Sequence, residues 1–161
     1  MKSLILRIDD RLIHGQVLVG WVSYYNFKQI VVGNNEIVSN DWEKEMMTMA
    51  AGDLDTQVLN ISDTLAFINT FEEKDRLALV LVESVEDVFQ MVENGLKLKK
   101  INIGGIHYSE GKREFLPYLF LDETDIRQLK LMMVKGYEFI CQDVPTGSKY
   151  NLEKILGKKN D

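Results

Sequence analysis

Short apolar runs alternate along this chain with segments whose apolar residues recur every three or four positions, and that alternation sets the expected elements. Leu4 to Ile8 reads as a buried strand. Leu18, Trp21, Val22 and Tyr25 then share one helical face. Ile30-Val31-Val32 is a second strand, ended by the turn Gly33-Asn34-Asn35. Asn40 precedes Glu43 by three residues, as in a capping box, ahead of a helix whose Met46, Met47 and Met49 read as core filler. Gln57 to Ile61 is a third strand, and Ser62-Asp63 opens a helix through Leu65, Phe67 and Ile68. Leu77 to Val82 is the most apolar run and reads as the central strand. Ser84 caps a helix carrying Val88, Met91 and Val92, which Gly95 ends. Lys100 to Ile103 is a strand closed by Gly104-Gly105. A helix from Glu123 to Lys135 stops at Gly136, a strand runs from Tyr137 to Cys141, and a short helix spans Leu152 to Leu156.

Strands alternating with helices predict an α/β fold, an open and mostly parallel central sheet with helices on both faces. The scatter of Pro and Gly shows no linker, so residues 1–161 are expected to form a single domain. Ligands in such sheets bind outside the carboxyl ends of the strands. The loops of interest are therefore Asp9 to His14, Gly33 to Asn35, Glu83-Ser84 and Gly104 to Glu110.

Composition narrows the chemistry. A formal net charge of −6 argues against a nucleic-acid partner. The lone Cys141 excludes an intrachain disulfide and reads as a buried, inert thiol. With two histidines in the chain a His-rich zinc site is not expected, and neither is any other metal or cofactor. No Gly-x-Gly-x-x-Gly follows a strand, and no Gly-x-Ser-x-Gly elbow occurs. No apolar run reaches the roughly 18 residues of a membrane span. The apolar stretch at the N-terminus meets Arg7 too early for a signal peptide, so a cytoplasmic location is expected. His107 and Ser109 read as exposed loop residues, and Lys97, Lys99 and Lys100 as a solvated face or a dock for acidic partner groups.

The loop after the first strand carries the richest set of groups. His14 stands at a helix start, where unpaired N–H groups and the helix dipole favour an anion. Arg11 offers a forked set of donors suited to phosphate oxygens. Gly15, followed by Gln16, removes a side chain where an anion would approach the backbone. Asp9 and Asp10 are placed to orient Arg11 or to hold the imidazole. The set suits a histidine that attacks phosphorus while donors stabilise the equatorial oxygens. A lone histidine after a strand is also readable as structural, and the residues alone leave both readings open.

The segment Arg7-Ile8-Asp9-Asp10-Arg11-Leu12-Ile13-His14-Gly15-Gln16-Val17 resembles the active-site segment of the IIB subunits of the mannose/fructose/sorbose class of the bacterial sugar phosphotransferase system. Val31-Val32-Gly33-Asn34-Asn35-Glu36, Asn102-Ile103-Gly104-Gly105 and Val144-Pro145 extend the resemblance along nearly the whole chain. The resemblance implies an α/β domain. It implies that His14 takes a phosphoryl group at Nδ1 from a phosphohistidine of a IIA protein and passes it to a sugar entering through IIC and IID membrane subunits. Arg11 is then expected to contact the phosphoryl group. The chain departs from its relatives at Asn35, where they usually carry Asp, and at Ser84-Val85. Asn35 and Ser84 are thus only possible contacts from a second loop. Gly104-Gly105 forms either a tight turn or a close backbone approach to the phosphoryl group. Leu12 and Ile13 either belong to a partly exposed docking face or anchor the loop. Two rivals use the same residues: a phosphate-sensing module without turnover, and a histidine-dependent hydrolase. Acid-labile, base-stable phosphate on the chain distinguishes them.

Overall fold

The computed structural model describes residues 3–72 and 77–159; Met1 and Lys2, at the head of the N-terminal apolar stretch, lie outside the described residues. The elements follow in the order β1 (Leu4–Asp9), α1 (residues 15–25), β2 (Gln29–Gly33), α2 (Asp41–Ala51), β3 (Asp55–Leu59), α3 (Ile61–Asn69), β4 (Ala78–Val82), α4 (Val85–Glu93) and β5 (Lys100–Gly105). Then come β6 (Arg113–Leu116), β7 (Leu119–Leu121), α5 (Glu123–Val134), β8 (Glu138–Cys141), β9 (Tyr150–Asn151) and α6 (Leu152–Lys159). The main sheet runs β3-β2-β4-β1-β5-β8-β9. Every pairing in it is parallel except that of β9 with β8. The expected α/β architecture, a mostly parallel sheet covered on both faces, is the one observed.

The pleat of the strands explains the two layers. On β1, Leu4, Leu6 and Ile8 face one core with α3, α4, α5 and α6, while Ile5 faces a second core with α1 and α2. β4 divides the same way, with Val80 and Val82 on one side and Leu79 and Leu81 on the other. Successive side chains of a strand point to opposite faces, so a strand covered on both sides must be apolar throughout. β4 meets that requirement and lies fully buried in the middle of the sheet. β1 does not, because Arg7 and Asp9 fall on the α1 face.

Chain direction fixes where a ligand would sit. From β1 the chain crosses towards β2 on one side of the sheet, and from β5 it continues towards β8 on the other. The carboxyl ends of neighbouring β1 and β5 are thus a topological switch point, the place where open α/β sheets leave a crevice.

Several boundaries differ from the sequence reading. The cap of α3 is Asn60, whose side chain accepts from the Asp63 amide at 2.7 Å, so the helix starts at Ile61 and not at Ser62-Asp63. The antiparallel β6–β7 hairpin was not foreseen, because its strands are too short for a period of two to register. Met46 and Met49 are not core filler: both are exposed, and only Met47 packs against the second core. They extend, with exposed Trp42, along the outer face of α2. Asn40 and Ser84 do cap α2 and α4 as expected, accepting from Glu43 and Asp87.

Met91, fully buried against α4's side of the sheet, gives the contrast for a stability test. Met91→Ala is expected to cost about 2–5 kcal/mol in urea unfolding, whereas Met49→Lys should stay within about 0.5 kcal/mol of the parent.

Candidate functional site

A buried guanidinium organises the α1 face at the switch point. Arg7 is 1% exposed. Its Nη1 donates to the Asn102 side chain of β5 and, at 2.8 Å, to the carbonyl of Gln142; its Nη2 donates at 2.8 Å to the carbonyl of Asp143. Trp21 of α1 covers it, with the guanidinium carbon 4.2 Å from the ring centroid. The indole N–H donates to the same Asp143 carbonyl at 3.0 Å. Burial pulls the Arg7 pKa down to about 10, against the opposing pull of Asp9. The group remains a cation at neutral pH, and its charge must be matched inside the protein.

The match is Asp9, fully buried, with a carboxylate oxygen 3.6 Å from Arg7 Nη2. Asp9 also faces outward. Its Oδ1 accepts from the backbone N–H of Arg11 at 3.1 Å and from Arg11 Nε at 3.3 Å, and its Oδ2 accepts from Arg11 Nη2 at 3.4 Å. One carboxylate thus ties a buried arginine to an exposed one. Arg11 Nη1 reaches the other way and donates to Gln16 Oε1 at 3.0 Å, at the start of α1.

His14 lies between these groups in sequence and just before α1. The turn that delivers it is strained: buried Leu12 has a φ of 56°, rare for a bulky side chain. That conformation directs the Leu12 carbonyl to His14 Nδ1 at 2.8 Å. A carbonyl only accepts, so Nδ1 carries the proton here and the lone pair resides on Nε2, which is buried with no hydrogen-bond partner among the described residues. Leu12 and Ile13 are 3% and 6% exposed. Of the two readings left open, their burial favours the anchor of the loop over a partly exposed docking face. After Gln16, α1 widens to a π-helix over Val17–Val22, a feature frequent at functional sites.

The β5 loop completes the wall. Asp10 N donates to the Gly105 carbonyl at 2.9 Å. The Asp10 carboxylate accepts from the His107 backbone N–H at 2.7 Å and from His107 Nδ1 at 2.6 Å. Gly104 makes room for protein, since a Cβ there would sit 1.8 Å from Arg7 Cζ. Gly105 lies open to the loop, its position ringed by His107, Asp9 and Arg11.

A family model described as the PTS system sorbose subfamily IIB component matches residues 3–161. The chain belongs to that family. It is 30% identical over 148 residues to the N-acetylgalactosamine-specific phosphotransferase enzyme IIB component 1 of Escherichia coli K12, covering 91% of this chain and 93% of that protein. It is 27% identical over 162 residues to the sorbose-specific EIIB component of Klebsiella pneumoniae, covering 100% of this chain and 97% of the other. With the mannose-specific EIIAB component of Escherichia coli K12 it shares 29% identity over 153 residues, which is 94% of this chain but 47% of that protein, so the chain spans about half the length of those relatives. The crystal structure of the Klebsiella IIBSor domain superposes with a TM-score of 0.85 over 98% of both chains at 24% identity, a likeness of fold.

Placed in this IIB fold, the expected site residues divide. Asp9, Asp10, Arg11, Gln16 and Gly105 are linked by the contacts above around the loop that ends at His14 and Gly15. Asn35 and Ser84 are occupied elsewhere: Asn35 Oδ1 accepts from the Ile61 amide at 2.8 Å, and Ser84 Oγ caps α4. Gly104 serves Arg7 in place of a ligand. The sequence reading gave no role to Arg7, Asn102, Gln142, Trp21 or His107. A signal existed for two of them, since Arg7 and Asn102 are polar residues inside apolar strands and pair across adjacent ones.

Gly104→Ala should drive the Arg7 guanidinium from its pocket and leave Asp9 poorly matched, lowering stability by about 3–5 kcal/mol. Gly105→Ala, whose Cβ would meet nothing nearer than 3.2 Å, should lose far less. Chemical denaturation of the two variants side by side checks this, and equal losses would mean that the Arg7 pocket is not the reason for Gly104.

Proposed function

We propose that this IIB component is a phosphoryl carrier in sugar uptake, working in the cytoplasm with no cofactor. It receives phosphate on His14 from the phosphohistidine of a IIA protein and passes it to a sugar held by IIC and IID membrane subunits. Among the described residues no helix is long and apolar enough to cross a membrane, so the sugar pathway is assigned to those partners. The observation that carries the reading is the Asp9–Arg11–Gln16 relay, which holds an exposed guanidinium beside the start of α1 with its position set by a buried carboxylate.

In the first step a ring nitrogen lone pair of His14 forms an N–P bond as the donor's N–P bond breaks, the donor histidine leaving with the electron pair. In the second, a sugar hydroxyl oxygen forms the P–O bond as the His14 N–P bond breaks, the electron pair returning to the ring nitrogen and the hydroxyl proton passing to water. Arg11 neutralises charge on the equatorial oxygens in both steps. Reaction at Nδ1, as the family resemblance implies, requires that Nδ1 leave the Leu12 carbonyl and that its proton move to Nε2, so that the lone pair stands on Nδ1. IIA and the membrane subunits use one face in turn, because each must reach the same nitrogen. Its exposed members are Arg11, Gly15, Gln16 and Val19, the last 76% exposed. Such contacts should be small, about 1,200 Å² or less, and short-lived.

Incubation with phosphorylated IIA tests the assignment. His14→Ala should take up no label while His107→Ala still does, and undiminished labelling of His14→Ala would remove the central claim. NMR of the phosphorylated chain should place phosphorus on Nδ1; phosphorus on Nε2 would overturn the assignment of the reacting nitrogen. Arg11→Ala should slow transfer by roughly 10²–10³, with Arg11→Lys recovering only part for want of the planar fork. Transfer at the parent rate by folded Arg11→Ala would reduce Arg11 to a surface charge.

A further inference from the structure

We propose that His107 is a second anion-binding residue of this site, its Nε2–H donating to an oxygen of a phosphoryl group held beside Arg11. The inference rests on reading the loop around His14 as the phosphoryl site and names a residue on the opposite wall.

Three observations carry it. First, the ring is held in place. Its Nδ1 lies 2.6 Å from Asp10 Oδ1, and a carboxylate only accepts, so that nitrogen carries a proton. Joining the two loops does not require the ring, because the His107 backbone N–H already donates to Asp10 Oδ2 at 2.7 Å. Second, the ring is aimed at the site. A single point, the Cβ position missing from Gly105, is 3.2 Å from His107 Cε1, 3.4 Å from Asp9 Oδ1 and 3.5 Å from Arg11 Nη2. Cε1 lies between the two ring nitrogens, so the imidazole and the guanidinium border the same space over Gly105. The His107 side chain is 46% exposed, and among the described residues no hydrogen bond engages Nε2. Third, the existing charges leave nothing over for a ligand. The charged groups around the ring are Asp10, Asp9 and Arg11, with Arg7 behind Asp9 and Asp143 near Arg7. Two arginines face three carboxylates, so no cationic charge is left to match an added anion unless an imidazole is protonated. A dianionic phosphoryl group would therefore favour protonation of His107, and protonation would favour the anion by the same factor. Histidine is the side chain that makes this exchange near neutral pH.

The test uses inorganic phosphate as the probe and the full chain. Phosphate titrations are followed by NMR of the histidine rings at several pH values, on the parent, His107→Asn and His14→Ala. Asparagine keeps a donor for Asp10 but lacks both Nε2 and the charge. Saturating phosphate should raise the titration midpoint of His107 by roughly half a pH unit or more. His107→Asn should bind phosphate roughly ten-fold more weakly at pH 6, the scale of one charge-assisted hydrogen bond, with little difference at pH 9. His14→Ala should keep the His107 shift. A fixed midpoint, equal binding by His107→Asn and the parent at pH 6, or no phosphate binding at all would overturn the proposal. Should His14→Ala still accept label from the donor while the His107 dependence persists, the carrier reading fails and the anion site stands.

Discussion

A guanidinium buried under Trp21 is the constraint on which this IIB component's site depends. Arg7 sits on a central strand, where an uncompensated charge would be costly, and the protein answers with groups from four places. β1 supplies Asp9, β5 supplies Asn102 and the space at Gly104, and the loop after β8 supplies two carbonyls. α1 supplies the covering indole. Every one of these groups lies at the carboxyl edge of the sheet or directly over it. Satisfying the buried cation therefore draws the segments that follow β1, β5 and β8 together. The Val144-Pro145 segment takes its place through the same arrangement, with Gly20 of α1 packed near Pro145.

The arrangement separates rigid from reactive parts. Asp9 is fixed by burial and by Arg7, and it hands that fixity to Arg11, whose guanidinium remains open to solvent. A preorganised donor does not have to be reoriented when charge develops on a transferring group. Leu12 fixes the ring before any reaction: its strained backbone is held by its own buried side chain and sets His14 Nδ1 against a carbonyl. The proposed role, in which two partners are released in turn, suits an open loop edge better than an enclosed cavity.

Much of the fold was legible because the signals were local. The uninterrupted apolar run of β4 and the caps at Asn40 and Ser84 depend on neighbours in sequence. The misreadings have physical causes. Met46 and Met49 look like core residues because apolar character alone does not say which side of a helix faces the sheet. The candidate loop was legible at His14 and Arg11, whose chemistry is carried within eleven consecutive residues. Its support was not, because Arg7 to Gln142 and Asp10 to His107 are contacts across loops far apart in sequence. Nothing in a single loop announces that Asp10 will be taken by a histidine 97 positions on.

The claim that Arg7 and Asp9 act as one unit is open to a double-mutant cycle in urea. Arg7→Met and Asp9→Asn alone should each lose about 3 kcal/mol or more, because each strands a buried partner. Together they should lose less than the sum by more than about 1 kcal/mol, the coupling expected of a direct buried pair. Strictly additive losses would contradict the account and mean that the site is held by packing rather than by the buried charge.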